Sequence, residues 1–394
     1  MNSHPVLIVL AIAVAAPLLA EIPVGVRLPV VVLEMVLGII IGPQVLGLAT
    51  AEGLLGWLGG ELGLAALFFM AGMELDLERV RGHPLTLAIR GWVLSLVLGL
   101  VVAALLYVLP IVHSPMMVGL ALSTTALGTL LPILRDAGLL ETEFGRLVLA
   151  AGAAGEFGPV VMVSLVLTGQ YSEWLKIGLM LTFVAIAFGG ARIALGARPP
   201  RVIGLLTRTM ESSSQLPVRL SLLLLASFVV LSEKLGFELI PGAFAAGMVV
   251  GLASRGEAGK PLRRKVEAVC FGFLVPFFFV TSGIKFDLTT LLHSAQAMLL
   301  LPALLILLFI VRGVPLFLYR HDLAKGQRLP FALYSATALP LLVAISAIGV
   351  QTGRMRSEIA AALVGAGMLS VLFFPTFAGV LLSRIARSAP SALT

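Results

Sequence analysis

The 394-residue chain has little charge, with 12% Asp, Glu, Lys and Arg, about half the share of a soluble domain. It has one cysteine, Cys270, which excludes an intramolecular disulfide. No CxxC and no His/Cys cluster at metal-ligand spacing appears, so redox and zinc chemistry are not expected. No HExxH, Ser/His pair or paired mid-membrane aspartates equips the chain for hydrolysis, and an enzyme is not expected. No cofactor motif is present. The chain ends on "SRIARSAPSALT", which predicts no soluble regulatory domain after the last apolar run.

What fills the chain instead is apolar sequence: 59% of residues are hydrophobic and mean hydropathy is +1.09. Runs of roughly 20 apolar residues recur throughout, whereas transmembrane barrel strands would be half as long and would alternate. The expected fold is an all-α polytopic membrane protein in a lipid bilayer. Gly, Pro and charge punctuation divides it into about 13 spans, starting near residues 5, 28, 54, 85, 115, 143, 174, 215, 239, 266, 294, 328 and 357. The first, Pro5 to Ala20, has the length of a signal-peptide core, but "MNSH" before it has no basic residue, so a retained helix is expected.

The net charge of +7 follows from topology rather than from a nucleic-acid partner, because most basic residues lie in short loops. With the N-terminus outside, 21 of the 27 basic residues fall on the cytoplasmic side, the asymmetry of an odd span count and a cytoplasmic C-terminus. The expected location is the cell (inner) membrane. The longest hydrophilic connection, Ala197 to Arg219, reads as a hinge between halves with a short amphipathic helix.

Two segments resemble each other: "LALSTTALGTLLPILRD" at 120–136 and "LYSATALPLLVAISAIG" at 333–349. Each has a hydroxyl pair, Ala-Leu and a breaker, Gly128 in one and Pro340 in the other. Such residues also let helices pack closely. Paired broken spans at corresponding positions, however, mark an inverted-repeat secondary transporter, with the freed backbone groups facing a cavity. On this reading residues 28–169 and 239–383 are approximate inverted repeats of a single transmembrane unit, and 174–235 connect them.

Glu156, in "GAAGEFGPVV", lies about 14 residues into its span. An ionised carboxylate at that depth costs several kcal/mol unless it pairs, protonates or binds a cation. Gly155 and Gly158 allow close approach of another backbone, and Pro159 removes a hydrogen-bond donor. Arg312, in "LLILLFIVRGVPLF", is the basic residue read at the centre of a span; it needs an acid or a polar cavity, and Glu156 is the candidate partner. Glu34 would line an entry funnel or make a structural hydrogen bond. Glu61 is expected to hydrogen-bond near a helix start. His4, His83, His113, His293 and His321 all fall near span ends, which gives no support to a histidine relay.

The chain resembles the monovalent cation/proton antiporter-2 family, the group of bacterial sodium/proton exchangers and glutathione-gated potassium efflux systems. The resemblance spans nearly the whole chain. Its motifs are "RLPVVVLEMVLGIIIGPQVLGL", "ELGLAALFFMAGMELDLERVR", "GLALSTTALGTLLPILRDAGLL", "FGRLVLAAGAAGEFGPVV", "LIPGAFAAGMVVGL" and "LVPFFFVTSGIKFDL". The resemblance implies that the fifth and twelfth helices are broken and cross at mid-membrane, and that Glu156 occupies the place of the essential aspartate. It also implies that Arg312 is the basic residue beside the site, and that Ser123, Thr124 and Thr125 offer oxygens to the cation. Ser335 and Thr337 mark the second break. A homodimer, with a core domain moving against a dimerisation domain, is implied as well.

One departure stands out. The family commonly has Asp-Asp, Asn-Asp or Gln-Asp at the site, where this chain has Gly155-Glu156. The missing neighbour leaves Arg312 without the partner it has in Asp-Asp members, which favours an Arg312–Glu156 pair. The expected activity is exchange of Na+ or K+ for H+, one for one and electroneutral, with no metal bound beyond the transported alkali cation. The alternative is a channel-like or anion-coupled carrier in which Glu156 and Arg312 form a locked structural pair.

Overall fold

The computed structural model describes residues 4–22, 29–74, 82–109, 111–167 and 208–388, with isolated positions between 174 and 189. Every regular element among them is a helix, the outcome required where lipid offers the backbone no hydrogen-bond partner. The principal helices are α1 (His4–Ala20), α2 (Val30–Ile41), α3 (Gly53–Glu74), α4 (His83–Val108), α5 (Pro115–Leu122), α6 (Leu127–Asp136) and α7 (Glu143–Leu167). They continue with α8 (Leu216–Lys234), α9 (Leu239–Ala253), α10 (Lys260–Ile284), α11 (Ala295–Gly313), α12 (Arg328–Ser335), α13 (Pro340–Gln351) and α14 (Ser357–Ser388). Among the described residues, eight spans are long and apolar enough to cross a membrane, and four shorter apolar helices accompany them. Their starts agree, within about six residues, with twelve of the thirteen expected. Much of the span expected from residue 174, and most of the Ala197–Arg219 connection, lie outside the described residues.

Contacts divide the chain into two units. One comprises Met1–Ala15, Leu48–Asp76 and Ser164–Ile284. Its α3 and α9 touch backbone to backbone: a methyl on Gly72 would lie 2.1 Å from the Phe244 carbonyl oxygen, and one on Gly247 would lie 1.9 Å from that of Phe69. Small residues achieve this approach, and the contact is a van der Waals one, since lipid supplies no hydrophobic drive between helices. Within the same unit, α3 contains a π turn at Leu58–Gly63 and α10 another at Cys270–Leu274. Gly63 sits against the carbonyl of Leu274, so the two turns meet.

The other unit comprises Ala16–Gly47, Leu77–Val163 and Lys285–Thr394. In it α14 packs along α11, α12 and α13. Helix α4 buries a stripe of small residues at a spacing of four, Gly91, Ser95, Gly99 and Ala103, and Gly99 rests on the backbone of Gly119 in α5.

Outside the spans, Asp287 clasps the loop after α2. Its carboxylate accepts from Thr290 N–H at 2.9 Å, Thr289 Oγ1 at 3.1 Å and Gln44 Nε2 at 3.2 Å, while Gln44 Oε1 accepts from Thr289 N–H at 2.9 Å. Burial pushes the Asp287 carboxyl up, but the hydrogen bonds from Thr290, Thr289 and Gln44 outweigh it and hold it below the ordinary aspartate value. A carboxyl depressed in the folded state contributes stability that is present above its unfolded pKa and is lost as pH falls through the folded one. The unfolding temperature of Asp287→Asn therefore lies below that of the parent at neutral pH, and the gap closes below about pH 4. A gap of equal size at both pH values would contradict the clasp.

Candidate functional site

The two interrupted spans are built alike. The first runs as α5, leaves helical geometry at Ser123–Ala126, and resumes as α6; the second runs as α12, opens at Ala336–Leu339, and resumes as α13. Pro340 is the first residue of α13, where its missing N–H removes no helical bond. Gly128, expected to break the first span, instead lies inside α6. Open backbone at Ser123–Ala126 is stabilised by the opposite break: Ala126 N–H donates to Thr337 O at 2.8 Å and Thr125 Oγ1 to Ser335 O at 2.6 Å. Each break thus satisfies polar groups that the other exposes.

Helix α7 reaches the same point. A helical carbonyl normally accepts from the N–H four residues on, and for Gly155 that residue is Pro159, which has none. The freed Gly155 carbonyl accepts from Thr125 N–H at 2.9 Å. The next residue, Glu156, is 4% exposed, and its Oε2 accepts from Leu127 N–H at 3.1 Å. Leu127 opens α6, so the carboxylate caps the positive end of a half-helix.

Arg312 is also 4% exposed, yet it does not pair with Glu156. Its Nε donates to Thr125 Oγ1 at 2.9 Å and Ser335 O at 3.1 Å, its Nη1 to Ser95 Oγ at 3.1 Å, and its Nη2 to Ala151 O at 3.2 Å. All four acceptors are neutral, and Ser335 O ends the half-helix α12, a partially negative terminus. Each charge is therefore met by a half-helix end rather than by the other charge. Gly155 permits this: a methyl there would lie 2.6 Å from Arg312 Nη2 and 2.6 Å from Thr125 Oγ1. The guanidinium occupies the space that a side chain at 155 would fill, and the expected Arg312–Glu156 pair gives way to a neutral cage. Nor is Arg312 central in its span, because α11 ends at Gly313 and a 3-10 segment, Val314–Tyr319, follows.

Other expected residues fall as follows. Ser123 and Thr124 are buried at the first break, with hydroxyls donating back to Leu120 O and Ala121 O, while Thr125 joins the Arg312 cage. Thr337 donates back to Leu333 O. Glu34 is buried in α2 and has no hydrogen-bond or ion-pair partner among the described residues, so the expected structural hydrogen bond is not made there. Glu61, expected to hydrogen-bond near a helix start, is exposed on the π turn of α3 with no side-chain partner among the described residues. All five histidines lie at helix ends or in loops.

Sequence reasoning missed Ser95, which is fully buried, accepts from Arg312 and donates to Val311 O at 2.9 Å. Its signal was legible as the stripe Gly91, Ser95, Gly99, Ala103, with a lone hydroxyl on the packed face of a long apolar span. The use of Pro159 to free the Gly155 carbonyl was also missed, and needed only the four-residue offset.

Membrane-length helices with two interrupted spans meeting around a buried carboxylate and a buried guanidinium make the architecture of a transport protein with discontinuous helices. The family model for the transmembrane sodium/hydrogen exchangers matches residues 8–384, and the chain belongs to that family, one of multi-pass membrane transporters rather than enzymes. It is 26% identical to YjbQ of Bacillus subtilis over 93% of this chain and 61% of that one, so it spans under two thirds of that relative's length. It is 28% identical to the Na+/H+-K+ antiporter GerN of Bacillus cereus, over 70% of each chain. The sodium proton antiporter MjNhaP1 from Methanocaldococcus jannaschii shares the fold with a TM-score of 0.61 at 18% identity, over 97% of this chain and 95% of that one.

Proposed function

We propose that the chain is a secondary active antiporter of the cell membrane, exchanging Na+ or K+ for H+ by alternating access. The observation that carries the reading is Glu156: a buried carboxylate, held at a helix N-terminus where two interrupted spans cross, with no cationic side chain bound to it. A proton and an alkali cation compete for such a group, and an ionised empty site is costly to move through the hydrocarbon layer. Oxygens of Ser123 and Thr124 stand at the same break and complete the cation's ligands. Glu34 is the proposed acid of the entry funnel.

The stoichiometry follows from the charge count. Arg312 keeps its charge throughout, and Glu156 is neutralised by either one proton or one monovalent cation. The site carries the same charge in both directions, so exchange is one for one and electroneutral. Proteoliposomes with a fixed sodium gradient and imposed voltages of either sign should show the same proton flux; a flux or end-point that follows voltage would refute the electroneutral count.

The relatives' names support cation/proton exchange, and GerN's joins both alkali cations. We propose further that 28–169 and 239–383 are inverted repeats. The broken spans α5–α6 and α12–α13, and the π turns of α3 and α10, occupy matching places in them. The protein is proposed to act as a homodimer, with its N-terminus outside and its C-terminus in the cytoplasm. The anion-coupled alternative required a locked Arg312–Glu156 pair, and the bonding of both side chains to other groups speaks against it.

A further inference from the structure

The first break and Arg312 meet only part of the second break. The Ser335 carbonyl accepts from Thr125 and Arg312, and the Thr337 carbonyl from Ala126, but both polar groups of Ala338 turn to α14. There Ser370 Oγ accepts from Ala338 N–H at 3.0 Å. Its single proton has two acceptors in reach, Ala338 O at 2.9 Å and Gly367 O at 2.7 Å. Ser370 and Ala338 are both buried, so no solvent stands ready to replace these bonds. Gly367 lets α14 come this close: a methyl there would lie 2.9 Å from Ala338 O. Ser370 also mirrors Glu156. Ala338 stands in "ATAL" of the second break as Ala126 stands in "TTAL" of the first. Glu156 is the fourteenth residue of α7, and Ser370 the fourteenth of α14. Each side chain is buried and accepts a main-chain N–H from the interrupted span beside it.

We propose that Ser370 is a positioning residue of the exchange site, the uncharged counterpart of Glu156, which fixes the second break and through it the first. The linkage is short. The N–H that Ser370 holds, that of Ala338, and the carbonyl that Ala126 holds, that of Thr337, are the two ends of one planar peptide. A turn of that plane moves both. The residue after Ala126 is Leu127, whose N–H donates to Glu156 Oε2 at 3.1 Å. Without Ser370 the buried peptide has lost one of its two fixed ends, the Ala126 bond loosens, and the backbone that presents Leu127 to the carboxylate is no longer held. The consequence for transport rests on the cation/proton reading; the bonds themselves do not.

Two measurements on the full chain test this. In detergent, amide hydrogen exchange is followed in peptides covering residues 120–130. Ser370→Ala should speed exchange there, more than two hundred residues away in sequence, because the Ala126 N–H bond opens more often; Ser370→Thr keeps the hydroxyl and should stay near the parent. In proteoliposomes at fixed pH, Ser370→Ala should raise the half-maximal cation concentration by about tenfold, the worth of one hydrogen bond to a charged group, and Ser370→Thr should restore it. A residue that merely packed α14 would lower the maximal rate and the unfolding temperature and leave the half-maximal concentration alone. Ser346→Ala is the control: Ser346 is buried in α13 and its hydroxyl has no partner, so its loss should move neither readout. If Ser370→Ala does not fold, Ser370→Cys, close in size but a weaker donor and acceptor, carries the same expectations at smaller amplitude. Exchange at 120–130 equal to the parent's would overturn the proposal, as would an unchanged half-maximal concentration in protein whose flux requires Glu156. Parent flux that does not require Glu156 would refute the cation/proton reading instead, and the hydrogen-exchange result alone would then decide whether Ser370 holds the two breaks.

Discussion

Glu156→Gln should reduce cation-driven proton flux in proteoliposomes to that of protein-free vesicles. The substitution keeps the size of the side chain and an oxygen able to accept from Leu127 N–H, so the cap on α6 survives. What it removes is the exchangeable proton and the negative charge, the two properties that competition requires. The fold should therefore persist while transport is lost, which distinguishes this variant from one that misfolds. An unfolding temperature close to the parent's together with undiminished flux would place the exchange elsewhere. A modest change in affinity with flux retained would instead favour a structural role for Glu156.

The second large effect is expected from the smallest substitution. Gly155→Ala adds one methyl, 2.6 Å from Arg312 Nη2 and 2.6 Å from Thr125 Oγ1, well inside contact distance. Neither neighbour can yield easily. Thr125 is tied to Ser335 O and Arg312, and its N–H to Gly155 O. Arg312 is held from α4, α7 and α12 through Ser95, Ala151 and Ser335. Displacing the guanidinium leaves a buried charge with broken hydrogen bonds, a loss of about 3–5 kcal/mol when a buried charge is stranded. A marked fall in unfolding temperature and loss of transport should follow. Ala at neighbouring Gly152, where a methyl would meet the flexible Leu127 side chain at 3.0 Å, should be milder. If Gly155→Ala behaves like the parent, Arg312 does not occupy the position described.

The span pattern was legible because apolar length is a physical requirement of lipid, and punctuation by Gly, Pro and charge shows where each length ends. The broken helices were legible as paired hydroxyl-and-breaker segments, although the Gly128 position was not. Glycine is tolerated within a helix, and the open backbone at Ser123–Ala126 depends on Thr337 and Ser335, more than two hundred residues away in sequence. That Glu156 and Arg312 lie buried was readable; the place of Arg312 at the end of α11 and the partners of both were not. Composition leads one to match the buried acid with the buried base, yet half-helix ends and carbonyls served each separately. Gly155 was the clue to this. Its missing side chain was read as a lost partner for Arg312, when in three dimensions it is the space the guanidinium fills.

Competition at a single carboxyl is the central claim, and the pH dependence of cation affinity tests it most directly. The cation concentration giving half-maximal proton flux should be measured across several pH values in sealed proteoliposomes. On this account it rises by about tenfold per pH unit on the acid side of the Glu156 titration, since each bound proton excludes a cation, while the rate at saturating cation is regained. A half-maximal concentration independent of pH, with only the maximal rate changing, would contradict it.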